Sequence, residues 1–256
     1  MIERRDQMDR CVWVSPTPRR IVSLVPSQSE LLVDLGLDDE LVGVTKFCIH
    51  PSDLKKQKTI VGGTKEIKID TIKALQPDLI IGNKEENQKE LIEALAKDFP
   101  VWMSDIKSLD DALEMISLIG DLVGKPQEAE VLVQKIGSGF AGLIKKPNKR
   151  CVYLIWNEPI MAVGQDTFID DMLSRAGFEN VVRAARYPEL DNERLKELSP
   201  EVILLSSEPF PFKQKHKAYF ETLLPNSKVA FVDGELFSWY GSRLLSVPAY
   251  VKQLSS

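Results

Sequence analysis

One short pattern occurs twice, and it constrains the fold more than any other feature of the chain. Residues 70–81, DTIKALQPDLII, align without a gap on residues 193–204, ERLKELSPEVIL. Acid meets acid at 70/193, apolar meets apolar at 72/195 and 75/198, and proline meets proline at 77/200. Apolar residues three apart share one face of a helix, proline ends that helix, and the apolar run beyond is short enough to be a strand. A second match pairs the helix ending at Gly36 with the one ending at Gly177. Two copies of a helix–proline–strand unit in separate halves predict two related α/β lobes. The first half has the longer spacing between matches, which places an insertion around 47–59.

Hydrophobic periodicity supplies the other elements. Strands are predicted at 20–26, 41–45, 60–61, 78–82 and 101–104, with helices at 27–36, 70–76, 86–98 and 108–123. In the second half, strands fall at 151–156, 202–206 and 229–233. Helices there fall at 168–176, 192–198 and 242–254, the last interrupted by Pro248. Between the halves, Pro126 suits a first helical turn and Pro147 ends it, while Val133, Ile136, Phe140, Leu143 and Ile144 keep helical spacing. A helix of about 20 residues spans about 30 Å, the width of a small lobe, so this segment reads as a strut. The chain therefore divides into an extension (1–18), a lobe (19–124), a linking backbone helix (125–147) and a second lobe (148–256).

Several functions are excluded early. A net charge of -5 over 256 residues argues against a nucleic-acid partner. No apolar stretch approaches the roughly 18 residues of a membrane span, so the chain is not membrane-spanning. GSGFAG at 137–142 has dinucleotide-fingerprint spacing but follows no strand and sits inside the strut. P-loop, GxSxG and HExxH strings are absent from the sequence. Residues 1–10 are charged and 11–18 are too short and proline-broken for a signal peptide, so a cytoplasmic location stays open and Cys11 is not read as lipidated. Three widely spaced cysteines, Cys11, Cys48 and Cys151, are expected to be free thiols.

Taken in order, RIVSLVPSQSELLVDLGL, IDTIKALQPDLIIG and WNEPIMAVGQDTFIDDMLSRAGFENV resemble the class III periplasmic binding proteins. These are the cobalamin- and ferric-siderophore-binding components of ABC importers, the helical-backbone metal receptors. The resemblance runs from about residue 19 to the end of the chain. It implies two Rossmann-like α/β lobes joined by a single long rigid backbone helix, with a ligand cleft between the lobes. It further implies a monomer, a periplasmic or extracytoplasmic location, and a permease dimer as partner. Asp70 and Glu193 match the family's two docking acids, which meet permease arginines; such pairs set orientation and encounter rate. The plainer alternative is that both are first-turn acids favoured by the helix dipole.

Ligands of open α/β sheets sit outside the carboxyl ends of the strands, which singles out the segments following each strand. Trp239, Tyr240 and Arg243 would give a flat apolar wall with a fixed cation, suited to a large planar ligand bearing carboxylates or amides. Trp156 sits where the family often has an aromatic, with Glu158 beside it. Gln28 follows the first strand, and Glu85 and Asn87 follow the strand at 78–82. Cys48 and His50 flank one isoleucine, so in an extended segment they point the same way and could meet a metal axially; the alternative is a structural pair.

The leading expectation is a non-enzymatic solute-binding protein that delivers a metal chelate to an ABC importer, with a corrinoid such as cobalamin first. A ferric siderophore or haem is the alternative, and a cytoplasmic enzyme or carrier acting on a metal chelate comes third. No intrinsic cofactor, catalytic residue or protein-held metal is expected. With two histidines, His50 and His216, the chain lacks the ligands a bare-metal receptor needs.

Overall fold

The structure, a computed structural model, describes residues 1–143 and 149–254. The chain forms two compact units, and both have the α/β character read from the sequence. Unit one comprises Met1–Ile106, Asp110–Ser138 and Trp239–Leu245; unit two comprises Lys107–Leu109, Gly139–Ser238 and Ser246–Ser256.

Unit one opens with a hairpin, β1 (Ile2–Arg5) and β2 (Cys11–Val14). Its turn is held by the Asp6 carboxylate, which is buried, accepts the Met8 and Arg10 N–H groups, and pairs with the Arg10 guanidinium at 2.6 Å. Gln7 N–H then donates to the Met103 carbonyl, so the residues read as an extension are part of unit one's fold.

Next come β3 (Ile21–Ser23), α1 (Pro26–Asp34), β4 (Leu41–Val44), α2 (Leu54–Gln57), β5 (Thr59–Ile60), α3 (Ile69–Leu75), β6 (Leu79–Asn83), α4 (Lys89–Leu95) and β7 (Val101–Ser104). The strands form a parallel sheet in the order β5-β4-β3-β6-β7. Val22, Leu24, Ile72, Ile80, Ile92 and Leu95 are packed in its core. Helix α4 is shorter than the predicted 86–98 because the Asn83 side chain captures the Glu85 and Glu86 N–H groups and holds a turn where a helix would begin.

Helices α5 (Leu109–Leu122) and α6 (Pro126–Ala141) follow. The predicted strut corresponds to α6, within which the assignment to units changes at Ser138 and Gly139. The strut's expected last turn, 144–147, lies outside the described residues. The GSGFAG string runs through α6 and the turn after it.

Unit two contains β8 (Lys149–Trp156), β9 (Met161–Ala162), α7 (Phe168–Arg175), β10 (Phe178–Asn180), α8 (Asn192–Leu198), β11 (Val202–Ser206), α9 (Gln214–Leu223), β12 (Lys228–Val232) and α10 (Glu235–Ser238). Parallel strands run in the order β10-β8-β11-β12, with β9 antiparallel on β8. A 3-10 turn, Ser242–Leu245, groups with unit one, and α11 (Val247–Leu254) with unit two. Pro248 therefore does not interrupt a helix. It lies in the first turn of α11, where no N–H is needed. The contiguous second lobe read from sequence also differs at 239–245, which packs with α1 of unit one.

The repeat is structural. Helices α3 and α8 both end on a left-handed residue, Gln76 (φ 47°) and Ser199 (φ 43°), each followed by proline and a fully buried strand. Arg20 N–H donates to Asp78 and its guanidinium to the Leu75 carbonyl; Arg150 N–H donates to Glu201 and its guanidinium to the Leu198 carbonyl. The aligned acids 78 and 201 thus anchor β3 and β8 in the same way. Gly36 (φ 79°) and Gly177 (φ 82°) follow α1 and α7, in a conformation that costs an L side chain about 1 kcal/mol.

Candidate functional site

In unit one the chain runs outward from β3 through β4 to β5, then returns to place β6 on the other side of β3. The crevice of such a sheet opens between the carboxyl ends of β3 and β6. Here it is filled by the protein's own amides. Asn87 Nδ2 donates to the Leu24 carbonyl at 3.2 Å and the Thr64 carbonyl at 3.0 Å, while its Oδ1 accepts the Asn83 N–H at 2.9 Å. Asn83 Nδ2 and Gln28 Nε2 both donate to Ser104 Oγ, at 3.0 and 2.6 Å. Gly82 admits this packing, since a Cβ there would lie 2.7 Å from Asn87 Oδ1. Gln28 and Asn87, expected at a ligand, are buried, and Asn87 is engaged on both sides of its amide. Glu85 is half-buried beside them.

A second group stands on the segments after β3 and β4. Arg243 forms a two-point pair with Glu30 of α1, Nε to Oε2 at 2.9 Å and Nη2 to Oε1 at 2.6 Å. Its guanidinium carbon lies 5.0 Å from the centroid of the Trp239 ring, and His50 meets that ring edge-on at 5.5 Å. Trp239 and Tyr240 are largely buried within unit one. Burial pushes the Glu30 carboxyl above its ordinary value, with Arg243 and His50 opposing that shift. Glu30 was not singled out from the sequence. Its partner lies 213 residues away, and an acid ahead of an apolar run carries no local signal.

His50 is half-buried, whereas Cys48 is fully buried, its Sγ 3.2 Å from Ser29 Oγ and 3.3 Å from Thr45 Oγ1. Burial raises its thiol pKa, so it is a structural thiol. All three cysteines are free. Among the described residues no three His, Cys, Asp or Glu side chains gather to hold a metal ion.

Unit two opens its crevice between β8 and β11, and aromatic rings occupy it. Trp156, after β8, lies 5.5 Å from Phe210, after β11. Phe210 in turn contacts Phe212 at 4.9 Å and His216 at 5.2 Å. The Trp156 indole N–H donates to the Glu158 carbonyl at 3.0 Å; the ring remains 39% exposed, and the Glu158 side chain is exposed. His216 Nδ1 accepts the Lys213 N–H at 2.9 Å, which leaves the neutral ring's proton on Nε2. Burial, then Lys215 and Lys213, hold its pKa below the ordinary value, with Glu158 opposing. Below the rings, Tyr153 OH donates to Ser206 Oγ, and Ser206 Oγ to the Glu208 carbonyl. The sequence signalled Trp156 but not the contact of Phe210 with His216, because α9 carries little apolar periodicity. Among α9's residues only His216 and Phe220 are buried.

Asp70 and Glu193 are both exposed, in the first turns of α3 and α8. Glu193 pairs with Lys196 at 2.9 Å.

Two parallel sheets with polar and aromatic groups at their carboxyl ends define a solute-binding scaffold. The profile of the Periplasmic binding protein family matches residues 21–226, and the chain belongs to that family. The β1–β2 hairpin precedes the matched region. An uncharacterized ABC transporter substrate-binding lipoprotein, YvrC of Bacillus subtilis, is 26% identical over 94% of this chain and 81% of its own. The vitamin B12-binding protein of Pectobacterium carotovorum is 25% identical over 92% and 87% of the two chains. A periplasmic heme binding protein from Pseudomonas aeruginosa has a similar structure, with a TM-score of 0.78, 25% identity, and 93% and 92% of the chains covered. No helix among the described residues is long and apolar enough to cross a membrane.

Proposed function

We propose that this chain is the solute-binding component of an ABC importer and that its ligand is a metal chelate with a broad flat face, a corrinoid foremost. The observation that carries this reading is the half-open aromatic shelf at the carboxyl end of unit two's sheet, where Trp156, 39% exposed, meets the Phe210 ring at 5.5 Å; in unit one, Arg243 and His50 border the buried Trp239 ring. Aromatic faces suit a macrocycle, while a bare ion needs convergent His and carboxylate ligands. Haem is the second reading, favoured by the imidazole of His50 beside Trp239 and by the likeness to a heme binding protein. An enzyme is disfavoured because the thiol of the one Cys–His candidate is buried and its pKa raised. Asp70 and Glu193, alike in position on equivalent helices, are the proposed contacts to permease arginines, and delivery takes place outside the cytoplasm.

The test is a tryptophan-fluorescence titration with cyanocobalamin, cobinamide, haemin and ferric siderophores, with zinc and manganese followed by calorimetry. Saturation by one chelate below micromolar concentration, about -8 kcal/mol or better, is expected. Trp156→Ala should weaken it by about tenfold, the loss of one aromatic face. Tight zinc binding with no chelate bound would overturn the reading.

A further inference from the structure

The ion pair of unit one bears on which chelates the site accepts. Arg243 reaches Glu30 through two nitrogens, and both side chains are mostly out of solvent, 17% and 16% exposed. A guanidinium held in this way is neutralised at short range, and its best-directed donors are already spent. A ligand carboxylate approaching it would have either to sit beside the Glu30 carboxylate or to displace it. Displacement would leave a charge largely buried on α1 without its partner, which is strongly unfavourable. An uncharged amide meets neither obstacle, since it brings no charge to repel Glu30 and needs no displacement of the carboxylate from Arg243.

Resting on the function proposed above, we infer that Glu30 is a specificity-determining residue: by neutralising Arg243 it tunes the site to amide-bearing, uncharged chelates and against chelates with free carboxylates. Apolar contact supplies affinity common to both classes, and the Glu30–Arg243 pair supplies the discrimination between them. Glu30 need not touch the ligand to do this; it acts through Arg243.

The experiment measures dissociation constants for cyanocobalamin, whose macrocycle side chains are amides, and for haemin, which carries two carboxylates. Wild type, Glu30→Gln and the double variant Glu30→Gln/Arg243→Gln are compared, each checked for folding by circular dichroism. Wild type should prefer cyanocobalamin. Glu30→Gln removes the neutralising carboxylate from Arg243 and should shift the ratio of the two constants toward haemin by about tenfold. The double variant restores local neutrality and should return to the wild-type preference within about threefold; it also carries the test if the single variant does not fold. A ratio unmoved in folded Glu30→Gln, or a double variant that departs from wild type, would overturn the role of Glu30 while leaving the function standing. Wild type that binds haemin more tightly than cyanocobalamin would do the same. Failure of wild type to bind either chelate would remove both.

Discussion

The two units repeat one backbone plan and close its crevice by opposite means. In unit one, Asn87 ties the loop after β3 to its own loop after β6 through the Leu24 carbonyl, and Asn83, Gln28 and Ser104 complete a buried polar floor. In unit two the equivalent loops meet through the tilted contact of the Trp156 and Phe210 rings. Hydrogen bonds between buried amides are directional and costly to leave unmade, so they fix a geometry. Tilted and edge-on ring contacts are less directional and tolerate small displacements, and Trp156 keeps over a third of its surface in solvent. The same scaffold thus carries a rigid floor in one unit and an adaptable aromatic shelf in the other.

The contrast breaks most visibly at Asn87. Asn87→Ala strands the Leu24 and Thr64 carbonyls and the Asn83 N–H in the interior. At about 1–3 kcal/mol per buried group it should destabilise by about 3 kcal/mol or more in urea unfolding. A loss below about 1 kcal/mol would show that water substitutes for the amide. Phe210→Ala, in the half-buried shelf, should cost less, about 1–2 kcal/mol, and should shift the Trp156 emission as its neighbouring ring is removed.

The smallest expected effect sharpens the contrast through pH. His216 is held neutral, its folded pKa below the ordinary imidazole value. The stability it contributes is therefore present above the ordinary imidazole range and is lost as pH falls through the lowered folded value. Protonation also removes the Nδ1 acceptor from the Lys213 N–H, under the ring of Phe210. Melting temperatures between about pH 7.5 and pH 5 should fall in wild type and fall less in His216→Gln, since glutamine does not titrate. Equal slopes would mean that the shelf does not sense pH through this residue.

Much of the fold was legible because it rests on local chemistry. The helix–proline–strand repeat located α3 with β6 and α8 with β11, and Gly36 and Gly177 marked two helix ends. Elements whose cause lies elsewhere were not legible. Helix α4 begins late because of an asparagine side chain several residues upstream, and the hairpin at 2–14 is held by a buried Asp6 that reads in sequence as one more charge. The site divides in the same way. Trp156 and the Trp239–Arg243 group were visible as aromatics and a cation after strands, whereas Glu30 and the meeting of Phe210 with His216 were not. Cys48 looked available to a ligand because its burial against Ser29, nineteen residues upstream, has no local signature.

By itself the sequence determined the two-unit α/β plan, since apolar periodicity, helix-ending prolines and positive-φ glycines act within a few residues and repeat in both halves. Only the tertiary structure decided which polar side chains are spent inside the protein and which stand at the surface. Burial, and a partner such as Glu30 for Arg243, depend on segments brought together from 213 positions apart, and no local pattern encodes that meeting.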